Sequence, residues 1–280
     1  MTGHVAIVTD STASLPAELA EQWDIAVVQL QVIIGNQPDD EARVPMSVLL
    51  PALQAQSEVS TSPPETGAFF WTYQAAAAAG ASAVVSMHIS GRQSETLRRA
   101  QEAAAEVRIP VHVLDSQTTG TSLGYAALAA ARVAQAGAGP QHVLETATAK
   151  MKRSKTLFYV DTLEYLRRGG RIGTAAAWIG TKLSIKPLLT VTEGQVAPLV
   201  RERGKERALR KLVKLATDYA GTAPVDIAVE HFAAPRDAQE LLAELKTSIP
   251  EIREIIFTEV SATVGVHVGP GALGLSISTS

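Results

Sequence analysis

Short apolar runs separated by helical patterns constrain this chain more than any other feature. Residues 5–8, 25–34, 83–89 and 111–114 read as strands. Helical patterns over 16–23, 45–54, 69–79, 95–105, 124–135 and 142–152 lie between and after them. Apolar strands that alternate with helices specify βαβ units and a mostly parallel sheet covered on both faces. The front of the chain is therefore expected to be a three-layer α/β domain over residues 1–153.

After about residue 153 the pattern changes. Residues 157–160 are strand-like, and two further runs, 188–192 and 195–200, flank Glu193-Gly194, a hairpin signal. A long helix follows, with Leu209, Leu212, Val213, Ala216 and Tyr219 on one face and Lys/Arg on the other. A strand, a helix and a strand lead to the terminal run 262–278. This mixture predicts a smaller α+β domain over 154–280, packed against the first.

Charge divides at nearly the same place. Residues 1–149 carry 6 Arg, no Lys and 14 Asp+Glu, or 6 − 14 = −8; residues 150–280 carry 19 Lys+Arg and 14 Asp+Glu, or +5. With 46% apolar and 19% charged residues the chain is no disordered segment. It has no cysteine, which excludes disulfides, thiolate catalysis and Cys-ligated metal sites. The N-terminus lacks the basic patch and apolar stretch of an export signal, so a cytoplasmic location is expected. The uncharged stretch 66–91 fails as a membrane span because Gln74, Gly80, Ser82, Ser86 and His88 interrupt it. No stable membrane insertion is expected.

No GxxxxGK[ST] or HExxH pattern occurs, and no catalytic residue, metal or cofactor is assigned from the sequence. In open parallel sheets ligands sit beyond the carboxyl ends of the strands. Small hydroxyls and carboxylates gather at such ends in Asp10-Ser11-Thr12, Ser90 onward and Asp115-Ser116, with Thr61-Ser62-Pro63-Pro64-Glu65 as a fourth cluster. Each can be read as helix capping, Ser62 with Glu65 as a capping box. Together they suit an anionic head group, because neutral hydroxyls donate hydrogen bonds without bringing a countercharge into a dry site. Asp10 also admits a different reading, a metal-dependent phosphoryl-transfer enzyme with Asp10 as nucleophile.

Leu166-Arg167-Arg168-Gly169-Gly170-Arg171-Ile172 has two readings as well. It can be a helix ending at a left-handed glycine, its arginines serving the dipole, or a guanidinium patch for docking or phosphate. Nucleic acid is not the expected partner, given a pI near 6 and few aromatics among the basic residues. His267-Val268-Gly269-Pro270-Gly271 reads as a turn between two apolar strands, with glycines that permit close approach by a ligand.

These residues, in this order, resemble the DegV family of bacterial fatty-acid-binding proteins. The resemblance is carried by Thr9-Asp10-Ser11-Thr12, Thr61-Ser62-Pro63-Pro64, Ile89-Ser90 with Ser94-Glu95-Thr96, Asp115-Ser116, Tyr159-Val160-Asp161-Thr162-Leu163 with Gly169-Gly170-Arg171, Lys186-Pro187, Val200-Arg201, and the His267 segment. It implies a non-catalytic carrier that encloses a long-chain fatty acid in a tunnel, with Thr61, Ser94, Ser62 and His267 about the carboxylate. It further implies a separate ATP-dependent fatty acid kinase subunit that makes the acyl phosphate, met by a basic surface including Arg171 and Arg201. The chain departs from the family pattern at Pro63 and Glu95. An extra carboxylate at Glu95 would oppose an anionic ligand unless it turns away or pairs with Arg92, Arg98 or Arg99.

Overall fold

The computed structural model describes residues 4–179 and 185–279. The front of the chain builds a parallel sheet from β1 (Val5–Asp10), β2 (Ile25–Val28), β6 (Ala83–His88) and β7 (Val111–Asp115), in the order β2-β1-β6-β7. Helices α3 (Thr66–Ala78) and α4 (Thr96–Ala104) cover one face, packing Phe69, Tyr73, Ala100 and Ala103 on Val8 and Val84. Helices α5 (Thr121–Gln135) and α6 (Pro140–Lys152) cover the other, and α1 (Ala17–Gln22) closes its edge.

Helix α5 buries residues on all sides, from Leu123 through Ala134. A helix apolar all round has to lie between two packed layers. The second layer is a six-stranded mixed sheet, in the order β10 (Gln195–Arg203), β9 (Ile185–Thr192), β8 (Ser154–Tyr159), β13 (Leu273–Thr279), β11 (Val225–His231), β12 (Ile252–Glu259). Ala228 and Ile256 of that sheet belong to the same buried cluster as α5 and α6. Helices α8 (Lys205–Ala220) and α9 (Pro235–Ser248) cover its far face. The β9–β10 hairpin turns at Glu193-Gly194, both at positive φ (49° and 76°), as a two-residue primed turn requires.

A third element was not expected. The run 25–34 breaks into two strands in different sheets: β2 stays in the parallel sheet, and β3 (Gln31–Ile34) pairs antiparallel with β4 (Gln37–Asp40) and β5 (Val59–Ser62). With α2 (Met46–Gln54), α7 (Glu164–Arg168) and α10 (Ala262–Val268), this small sheet forms a cap whose buried residues, Val32, Leu49, Leu166 and Val266 among them, join Phe158 and Leu189 of the mixed sheet.

The structure corrects three local readings. Ser62 does not cap a helix: it ends β5, and α3 starts at Thr66 behind Glu65, whose side chain makes no capping bond. Ser62 and Pro63 both precede a proline, which biases each toward extended backbone. Nor does Ser90 open a helix; its Oγ accepts from Arg92 N (3.2 Å) in a turn, and α4 begins at Thr96. His267 lies within α10 rather than between two strands, because Ser261 accepts a hydrogen bond from Val264 N and fixes a helical start.

Candidate functional site

A cavity opens where the carboxyl ends of β1 and β6 meet the mixed sheet and the cap. Its walls enclose about 930 Å³ of non-atom space, part of it open to solvent. Leu30, Ile89, Phe158, Val191, Val196 and Leu273 supply apolar wall. Thr12, Thr61, Ser62, Ser94 and His267 all reach the same cavity, whereas Asp115 and Ser116 do not. Asp115 instead accepts from Gln117 N (2.9 Å) and Ser116 from Thr118 N (3.2 Å), which is local turn chemistry.

Thr61 and His267 are 206 residues apart in sequence and bonded in space, Oγ1 to Nε2 at 2.8 Å. Burial and, after it, the nearby Arg171 guanidinium together push the His267 pKa down to about 4, so the ring is neutral at neutral pH. Its Nδ1 has no hydrogen-bond partner. An orphaned acceptor is tolerated better than an orphaned N–H, so the proton belongs on Nε2, donating to Thr61. The Thr61 hydroxyl hydrogen is then free for a ligand acceptor.

Two adjacent glycines place this histidine. Helix α7 ends in a Schellman arrangement, with Arg171 N donating to Leu166 O (2.9 Å), Gly170 N donating to Arg167 O (3.1 Å) and Gly170 at φ +69°. Gly169 lies against the imidazole so closely that a Cβ there would meet Nδ1 at 2.0 Å. The helix-ending reading of this segment is therefore realised, and it also directs Arg171 into the cavity wall. The Arg171 guanidinium donates to Gln93 O (3.0 Å) and Gly169 O (2.6 Å). Among the described lining residues it is the one Lys or Arg, a cation that the sequence reading had placed on a docking surface. Arg201 is exposed, its guanidinium 4.3 Å from the Trp178 ring centre.

Ser94 and Thr96 bond hydroxyl to hydroxyl at 2.8 Å, and Ser94 Oγ accepts from Thr96 N (3.3 Å) at the start of α4. Ser62 Oγ donates to Gln31 Oε1 (3.0 Å). Glu95 is absent from the lining; it faces solvent and pairs with Arg98 at 2.7 Å. Pro63 does line the cavity. A second cleft, about 610 Å³ including open solvent, shares Thr61, Arg171 and His267 with the first and adds Ser60, Tyr165 and Arg168. The head-group cluster can thus be reached from two sides.

Sequence reasoning did not place the two charged lining residues, Arg171 and Glu230, in the cavity. Arg171 was seen but placed elsewhere. Glu230, buried on β11, gave no signal that set it apart from Asp226 and His231 of the same strand.

Asp10 is occupied in another way. Oδ1 accepts from Thr12 N (3.0 Å) and from the Thr12 hydroxyl, and Oδ2 from His88 Nδ1 (3.0 Å) and Ile89 N (2.9 Å). His88 Nε2 lies 2.7 Å from Ser86 Oγ, so Ser86, His88 and Asp10 have the spacing of a nucleophile triad. All three are 0 % exposed and none lines the cavity, which makes them a buried polar bracket joining β1 to β6. Among the described residues no group of three His, Cys, Asp or Glu is placed to hold a metal, and no helix is long and apolar enough to cross a membrane.

The neutral histidine gives a pH prediction. The folded pKa lies near 4 and the ordinary value is 6.5, so between these values the unfolded chain binds a proton that the folded chain refuses. Stability from this group is complete above pH 6.5 and falls as pH drops toward 4, by about 3 kcal/mol at most. Urea titrations at pH 7 and pH 4.5 are expected to show a smaller drop for His267→Gln than for the parent chain; equal drops would remove His267 as the cause.

A family model described as "Uncharacterised protein, DegV family" matches residues 4–280. A DegV domain-containing protein of Streptomyces coelicolor is 42% identical over 280 residues, covering 100% of both chains. Among solved structures, a DegV family protein from Thermus thermophilus described for its fatty acid binding superposes with a TM-score of 0.94 at 30% identity, over 99% of this chain and 100% of the other. DegV of Bacillus subtilis, described as a fatty acid binding protein, gives 0.90 at 29% identity, over 99% and 100%. The order of the hydroxyl clusters, the parallel and mixed sheets with their cap, and these matches agree, and the chain belongs to the DegV family.

Proposed function

We propose that this protein is a non-catalytic carrier that holds one long-chain fatty acid in its cavity, the tail along the apolar wall and the carboxylate at Thr61, Ser94, Ser62 and His267. The supporting observation is the pairing of neutral donors with apolar walls. Thr61 O–H is freed by the His267 tautomer, Ser94 O–H is freed when Thr96 donates to it, and Arg171 adds one cation at the same wall. Each methylene withdrawn from water contributes roughly 0.8 kcal/mol, so a long tail binds tightly with few polar contacts. Two relatives of matching architecture are described as binding fatty acids. We read residues 1–153 and 154–280 as two domains that close on this tunnel.

The carrier presents its carboxylate to a separate ATP-dependent fatty acid kinase. There a carboxylate oxygen attacks the γ-phosphorus of ATP, giving acyl phosphate and ADP. The second cleft supports this reading, since it reaches Thr61, Arg171 and His267 from outside the acyl tunnel. Arg201, exposed on β10, is the better placed of the two arginines to meet a partner, because Arg171 is engaged in the wall. Mass spectrometry of lipid released by denaturing the purified protein tests the carrier reading; a preparation that neither carries nor takes up fatty acid would sink it.

Ser94→Ala removes a donor to a charged group, an interaction worth about 1.5–3 kcal/mol. Displacement of a fluorescent fatty acid is expected to show affinity weakened by about tenfold or more, with an unchanged unfolding midpoint. Unaltered affinity would take Ser94 out of the site.

A further inference from the structure

The cavity wall holds a carboxyl that a plain hydrocarbon tail leaves unused. Glu230 on β11 is 4 % exposed and lines the cavity with Thr12, Thr119, Gly120, Thr156 and Gly274. Its Oε1 accepts from Thr121 N at 2.8 Å and from Ser276 Oγ at 3.1 Å. Ser276 ends a one-way chain of hydroxyls: Thr156 Oγ1 donates to Ser122 Oγ (2.7 Å), and Ser122 Oγ donates to Ser276 Oγ (3.0 Å). Donors that all run in one direction polarise each other and fix the acceptor at Oε1.

Oε2 accepts neither of these bonds, and the Thr121 hydroxyl, which has no other partner among the described residues, stands beside the carboxyl. Space for this oxygen comes from Gly120, at φ +69°, where a Cβ would stand 2.7 Å from Oε2. Among the described residues no cation pairs with the carboxyl, and burial pushes its pKa up. With Oε1 committed to two donors, the proton of the neutral acid resides on Oε2. A buried O–H without an acceptor is costly, and a run of methylenes offers none.

We propose that Glu230 forms a second polar station inside the cavity, which selects long-chain acids carrying a hydroxyl along the chain over the unsubstituted acid of the same length. The inference rests on the reading that the cavity holds a long-chain acid. A ligand hydroxyl both accepts and donates, so it pairs with Oε2 whether or not the carboxyl carries its proton.

The test is competition against a bound fluorescent fatty acid, using stearic acid and a series of its positional hydroxy isomers. One isomer is expected to compete about tenfold more tightly than stearic acid, and its neighbours along the chain less so. In Glu230→Met that preference is expected to vanish or reverse, while Glu230→Gln, which keeps hydrogen-bonding groups, retains it. No isomer outcompeting stearic acid would overturn the proposal even if the methionine variant failed to fold, and so would a preference that survives in Glu230→Met. If neither stearic acid nor any isomer displaced the probe, the carrier reading itself would have failed.

Discussion

Asp10→Ala is expected to lower the free energy of unfolding by about 3–5 kcal/mol, because it strands several buried donors, each at about 1–3 kcal/mol. The carboxylate takes four donors from two strand ends: Thr12 N and Oγ1 beyond β1, and His88 Nδ1 with Ile89 N at the end of β6. Alanine leaves Thr12 N, Ile89 N and the imidazole without an acceptor in a region where Asp10, Thr12 and His88 are all 0 % exposed. Asp10→Asn keeps one acceptor oxygen but turns an NH₂ toward donors, and is expected to lose about 1–3 kcal/mol. Urea denaturation measures both. A phosphoryl-transfer nucleophile predicts the opposite pattern, a metal-dependent phosphatase activity abolished by Asp10→Asn in a chain of undiminished stability. That pattern would reinstate the enzyme reading.

The same residue shows why some of the site was legible and some was not. The position of Asp10 after an apolar run was evident, because strand periodicity places its carboxyl beyond a strand end. What fills its lone pairs was not, since His88 and Ile89 lie 78 and 79 positions away. Thr61, Ser94 and His267 entered as members of an ordered motif set. Their bonding needed the cap sheet, whose strand β4 (Gln-Pro-Asp-Asp) has almost no strand propensity and forms by pairing with β3. Helix α10 was hidden for the converse reason. Its Ala-Thr-Val-Gly-Val-His-Val is rich in β-branched residues and reads as strand, yet the Ser261 cap and burial of Val266 in the cap cluster make it helical. Arg171 was assigned to the surface because linear sequence carries no information on which way a chain leaves a Schellman turn.

Val191→Trp is expected to cut affinity for a long-chain acid by about two hundredfold while changing affinity for short acids little. Val191 stands on β9, partly buried in the cap cluster, and its remaining surface faces the cavity. An indole there occupies the space a tail needs and strains the core less than it would at a fully packed position. Excluding four methylenes forfeits roughly 3 kcal/mol, about two hundredfold in dissociation constant. The dependence on chain length is the decisive readout. In the parent chain every two carbons are expected to improve affinity by about fifteenfold until the cavity is filled. In the variant that rise should stop several carbons earlier, with the short-chain values superimposed. A misfolded variant would weaken all lengths alike, and a tail bound elsewhere would leave the parent profile intact. Either outcome would separate the hydroxyl cluster from the apolar wall that gives it a function.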